Sequence, residues 1–196
     1  MAEVSFTGAD AAQAAKIYIA LEKEFPKASK AAIDAMVQEI LEKYKEIAEF
    51  RKKAGLPPFD GEDSNSGAVA SVLIGKKSFF GVNTTFQKTP EAKRRYRKKL
   101  YEKLKDFFPN AKNWAQVRFL THAEVHALLR AKRYLHKRKS EMPKEVIMVV
   151  DKKTCRFCQN YLPHVMKLFG IKRMIIFCEG EVIIIPTTEK QKEKLK

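Results

Sequence analysis

The sequence predicts an α/β layered domain, a mixed five-stranded sheet with helices on both faces and extra helices at the N-terminus. Three observations carry this reading. Five short apolar runs, four of them rich in β-branched residues, are interspersed with longer stretches of helical period. After the first helical piece, the order is helix, strand, strand, helix, strand, helix, strand, strand. The last two runs are separated only by a turn at Glu179-Gly180, and a parallel pair would need a crossover of about a dozen residues, so they are antiparallel.

Residues 10–53 read as helix in two pieces. The first carries Ile17, Tyr18 and Leu21 and stops at Phe25-Pro26, because proline lacks an amide proton and disfavours helix in the residue before it. Ser29 caps the second, along which Ile33, Met36, Val37, Ile40, Leu41, Tyr44, Ile47 and Phe50 form one apolar stripe. Gly55 and Pro57-Pro58 end it. A Gly/Ser/Asp-rich connection at 59–67 gives the best internal boundary, dividing the chain into a helical segment (1–58), a main domain (59–188) and a charged tail (189–196). Residues 68–74 and 78–83 are a hairpin turning at Gly75-Lys76-Lys77. Residues 88–105 form a basic helix in which Tyr96, Leu100 and Leu104 face inward. Thr121 opens the next helix, 146–150 is a buried strand, residues 155–169 are a helix ended by Gly170, and 174–177 and 182–185 are the last strands.

Composition narrows the function classes. The 196 residues carry 39 Lys and Arg against 23 Asp and Glu, a net charge of +16, with 45% apolar residues. That is enough apolar content for a core, and it excludes a disordered or collagen-like chain. No apolar run approaches the roughly 20 residues of a membrane span, and the N-terminus lacks the pattern of a secretory signal. A soluble protein acting in the cytoplasm, with no membrane partner, is the expectation. Three cysteines make a disulfide framework a poor explanation. The charge suits a polyanion, since phosphate neutralisation with counterion release drives non-specific nucleic-acid binding.

The chemistry-bearing residues are His122-Ala123-Glu124 at one helix start and Cys155-Arg156-Phe157-Cys158 at another. A helix N-terminus favours thiolates, hence zinc binding by Cys155 and Cys158. One histidine and two cysteines leave a fourth tetrahedral position for water, as in catalytic zinc sites. Zinc lowers the pKa of that water toward about 7. Glu124 lies close enough to move its proton to a ring nitrogen and a departing amine. Hydrolytic deamination of a nucleobase uses all of these parts.

These motifs, on successive helices separated by one strand, resemble the zinc-dependent cytidine deaminase-like superfamily over about residues 67–186. The Cys-x-x-Cys-Gln-x-x-Leu-Pro run ending at Pro163 and the antiparallel last strands are similar to the bacterial polymorphic-toxin deaminases. Vertebrate antiviral cytidine deaminases and tRNA adenosine deaminases have those two strands parallel. The resemblance implies the three-layer deaminase fold, zinc ligands His122, Cys155 and Cys158, and Glu124 as proton shuttle. It also implies a substrate contact at Asn83, in Phe80-Gly81-Val82-Asn83, and an immunity protein as partner. Thr154 departs from the proline many members have before the first cysteine, which bears on the local turn and not on the ligands.

Other readings stand beside these. Thr121-x-x-Glu124 is also a capping box, and an isolated Cys-x-x-Cys also serves as a redox pair or half a zinc ribbon. His122 and His126 resemble a zinc-protease pair, but that motif needs Glu where Ala123 stands; His126 is expected to be packed. Ala123 and Phe157 are assigned to the substrate side, with a core position the alternative for Phe157. Lys93, Arg94, Arg95, Arg97, Lys98, Lys99 and Arg133 are assigned to a nucleic-acid surface, against the alternative of a solvated face. The expected reaction is cytosine to uracil in nucleic acid by a monomer, with DNA favoured over RNA and single-stranded DNA over duplex. A double-stranded DNA or RNA enzyme and a free-nucleoside deaminase are the alternatives.

Overall fold

The computed structural model describes residues 8–57, 67–83, 118–179 and 181–185, together with the helical residues 91, 95, 98, 99, 101 and 102 of the basic segment. The assignments at Lys93, Arg94, Arg97 and the charged tail lie outside the described residues. Helices α1 (Gly8–Glu24) and α2 (Lys30–Lys53) precede strands β1 (Val69–Ile74) and β2 (Lys77–Val82). A 3-10 turn (Arg118–Thr121) leads into α3 (Ala123–His136), followed by β3 (Glu145–Val150), α4 (Arg156–Phe169), β4 (Arg173–Cys178) and β5 (Glu181–Ile185).

The strands form one mixed sheet in the order β2-β1-β3-β4-β5. Only β3 and β4 are parallel, joined by α4 as the crossover, while β4 and β5 close as a hairpin with Phe177 opposite Val182. Period-two alternation splits the sheet into two faces. Val72, Val146, Met148, Val150, Met174 and Ile176 pack with α3 and α4. Val69, Val149, Ile175 and Phe177 pack with Ile17, Leu21, Ile33, Val37 and Ile47 of α1 and α2. The result is the three-layer architecture of the cytidine deaminase-like fold. Among the described residues no helix is long and apolar enough to cross a membrane.

The Ser29 hydroxyl accepts from the Ala32 amide, closing the start of α2. Gly170 ends α4 in the left-handed region at φ 73°, where a side chain would be strained. The start of α3 corrects the sequence reading. Thr121 ends the 3-10 turn, and His122 rather than Thr121 is the N-cap of α3.

Candidate zinc-dependent active site

His122 sits at an N-cap without making a side-chain capping bond. A cap of Ser or Asp would contribute about 1 kcal/mol; here the ring is committed elsewhere. Its Nδ1 lies 3.4 Å from Cys155 Sγ and 3.3 Å from Cys158 Sγ. Cys155 is the N-cap of α4, and its sulfur accepts from the Cys158 amide at 3.4 Å. Two helix starts therefore meet with their donor atoms within 4.8 Å of one another.

The donor set fits zinc. Zinc–sulfur and zinc–nitrogen bonds of about 2.3 and 2.0 Å at a tetrahedral angle put nitrogen and sulfur about 3.5 Å apart, close to the separations observed. The thiols are already polarised against each other. The Cys158 thiol and then the His122 ring hold Cys155 down to about 4, while the Cys155 sulfur and burial push Cys158 up. A zinc dication satisfies both sulfurs without the proton they otherwise share.

Glu124, in the first turn of α3, is 3% exposed and in hydrogen-bond contact with Cys158. Burial pushes its carboxyl above the ordinary range, against the opposing pull of a backbone amide and of His122. A buried carboxyl of raised proton affinity beside the donor cluster suits a proton-transfer role. The loop that presents Cys155 is pinned from two sides. Gln159 Nε2 donates to the Thr154 carbonyl at 2.8 Å. Asp151 receives Arg51 Nε at 2.6 Å and the Val69 amide at 2.9 Å. Arg51 also donates to the carbonyls of Pro57 and Gly67, so one buried guanidinium joins α2, the connection after it and the β3–α4 loop.

The substrate-side residues are spread around this centre. Asn83 directly follows β2 and is half-buried, its amide donating to the Ala68 carbonyl. Strand β2 touches the first turn of α3 through Gly81, where an added Cβ would overlap the Ala123 carbonyl and the Ala127 amide nitrogen. Ala123 is fully buried in that contact. Phe157, between the two cysteines, is 57% exposed, which removes the core alternative. Arg95, Lys98, Lys99 and Arg133 are exposed. His126 is packed as expected; burial pulls it down to about 4 against a hydrogen bond to the Val82 backbone. Sequence reasoning gave no role to Gly81 or to the Arg51–Asp151 pair. A glycine inside a strand signals close backbone approach, whereas nothing local distinguishes Arg51 from the lysines after it.

Histidine and glutamate entering from the helix after a hairpin, and a cysteine pair from the helix after the next strand, are how cytidine deaminase-like enzymes assemble their centre. The chain is a deaminase of that class. Residues 44–182 match the MafB19-like deaminase family, and the chain belongs to it. The match begins inside α2 and takes in Arg51. No curated protein and no solved structure matches the chain.

Proposed function

We propose that this deaminase converts cytosine to uracil within a nucleic acid, single-stranded DNA being the favoured substrate, using zinc held by His122, Cys155 and Cys158. The observation that carries the reading is the buried Glu124 against a His/Cys/Cys group whose spacing suits tetrahedral zinc. Bound zinc supplies the Lewis acidity that brings water toward a pKa of about 7. Glu124 carries one proton of the water to the ring nitrogen of the base and the second, from the hydroxyl then added at the amine-bearing carbon, to the departing amine, so that cytosine and water give uracil and ammonia. Asn83 holds the nucleoside, and the exposed Phe157 ring borders the pocket where a flipped base enters. The net charge of +16, with Arg95, Lys98 and Lys99 exposed on the basic helical segment, favours a polynucleotide over a free nucleoside. A monomeric bacterial toxin domain acting in a target cell's cytoplasm, restrained by an immunity protein, fits the family.

The test is a deaminase assay of the zinc-loaded chain on matched single- and double-stranded DNA and RNA and on free cytidine, with products sequenced. Uracil in single-stranded DNA, absent with Glu124→Gln, is expected. Turnover of free cytidine without conversion of any polynucleotide would overturn the reading, as would equal product from Glu124→Gln.

A further inference from the structure

We infer that the cationic cleft at the C-terminal end of α3 is a second nucleic-acid site, which grips the phosphodiester backbone of the substrate strand several nucleotides from the base in the zinc centre. The inference rests on the nucleic-acid reading above and adds where the strand runs. The cleft has a volume of about 610 Å³ and is lined by Arg130, Lys132, Arg133, Lys137 and Arg138 around Tyr134. None of these five cations takes part in the ion pairs formed among the described residues. Two cations share one ring, with Lys77 Nζ 4.4 Å and Arg138 Cζ 3.6 Å from the centroid of Tyr134. Like charges held together with no carboxylate paired to them among the described residues repel one another, and a bound anion relieves that repulsion. Cations near a helix C-terminus also complement its dipole. That accounts for one or two of them, such as Arg138 reaching the Tyr134 carbonyl, and not for five around a concavity.

Helical geometry connects the cleft to the reacting centre. Arg133 is eleven residues after His122, which at 100° per residue is three turns and about 20°. The zinc ligand and Arg133 therefore lie on one face of α3, about 16 Å apart along its axis. His126, on the same face, feels the charges of both Arg130 and Arg133. With phosphates about 3.4 Å apart on a stacked strand, the cleft meets the backbone about five nucleotides from the target base. A strand laid along this face meets the base pocket at one end and Arg130, Arg133 and Lys137 at the other. That placement favours a polynucleotide over an acidic protein as the occupant.

The experiment measures binding of the zinc-loaded chain to a fluorescent single-stranded 20-mer and to a pentanucleotide, each centred on cytosine, between 50 and 200 mM salt. The variant is Arg133→Ala/Lys137→Ala; both residues are exposed, and its melting temperature is checked against the parent. Losing two phosphate contacts on a single strand flattens the logarithmic salt slope by about 1.4. Over that fourfold range the parent should lose about sevenfold more affinity for the 20-mer than the variant does, whereas the pentanucleotide, too short to reach the cleft, should bind both alike. An unchanged slope for the 20-mer would overturn the inference. So would an equal loss on the pentanucleotide, or polyglutamate displacing the 20-mer as well as unlabelled DNA does. The binding readout needs no turnover: a slope that flattens in a chain converting no cytosine refutes the proposed reaction and leaves the cleft standing.

Discussion

Replacing Gly81 by alanine tests how β2 and α3 are held together. The new methyl would overlap the Ala123 carbonyl and the Ala127 amide nitrogen, both backbone atoms that cannot swing aside. Strand and helix must separate by roughly 1 Å to restore contact, and overpacking of this kind costs about 1–3 kcal/mol. The entropy gained by removing a glycine from the unfolded chain returns only about 0.4–1 kcal/mol, so the net effect is destabilising. At about 2–4 °C per kcal/mol for a chain of this size, melting should fall by several degrees. The shift falls next to His122, and metal–ligand distances tolerate only about 0.2 Å, so zinc affinity should fall as well. Gly75→Ala is the matched control. Its φ of +60° strains any side chain, but nothing lies within 4 Å of the added Cβ. It should lower melting through about 1–2 kcal/mol of backbone strain and leave zinc affinity unchanged. Differential scanning fluorimetry and competition for zinc with a chromophoric chelator give the two readouts. If Gly81→Ala melts with the parent and competes equally for zinc, the close approach does not position His122 and the reasoning fails.

Three further outcomes follow from the structure. Removing zinc with a chelator should lower the melting temperature, by about 2.7 kcal/mol of lost linkage where free zinc had stood at a hundredfold excess over its Kd, and readdition should restore it; no change on chelation would count against the metal centre. Arg51→Met leaves the buried Asp151 carboxylate unpaired and should cost about 3–5 kcal/mol, with Arg51→Met/Asp151→Leu recovering much of that loss in denaturant melts; a double variant as unstable as the single would show that the pair is not the origin. His126 is held neutral down to about pH 4 while its unfolded counterpart protonates near 6.5. Unfolding therefore takes up a proton between those values, and stability present above pH 6.5 is lost as pH falls toward 4, by about 3 kcal/mol. His126→Gln should flatten that part of the melting-temperature profile relative to the parent, and parallel profiles would refute the assignment.

The parts of this fold legible in the sequence are those set by local rules. The strands announce themselves as short β-branched runs, and the stripe from Ile33 to Phe50 predicts which side of α2 is buried. The antiparallel end of the sheet follows from chain length between Phe177 and Val182 alone. His122, Cys155 and Cys158 are legible because few residue types ligate zinc and two helix starts collect them. The remainder depends on which distant segments meet. Thr121 and His122 both border a helix start, and what decides between them is that the ring of His122 faces two sulfurs more than thirty residues away. Arg51 reads as one of three cations ending a helix, because its partner Asp151 is 100 residues further on. Gly81 is legible as a close approach but not as an approach to the helix that begins at His122.

The sheet order also sets when this enzyme becomes active during its own synthesis. Strand β1 pairs with β3, placing Ala70 opposite Val150, so one edge of β1 stays unsatisfied while the ribosome adds about 80 more residues, roughly 4–16 s at ordinary elongation rates. Two of the three candidate metal donors, Cys155 and Cys158, come later still. A nascent chain therefore spends seconds with β1 paired on one side alone and the His122, Cys155 and Cys158 group incomplete. That interval exposes an edge prone to aggregation, and a chain stalled before Cys158 lacks part of the His122, Cys155 and Cys158 group.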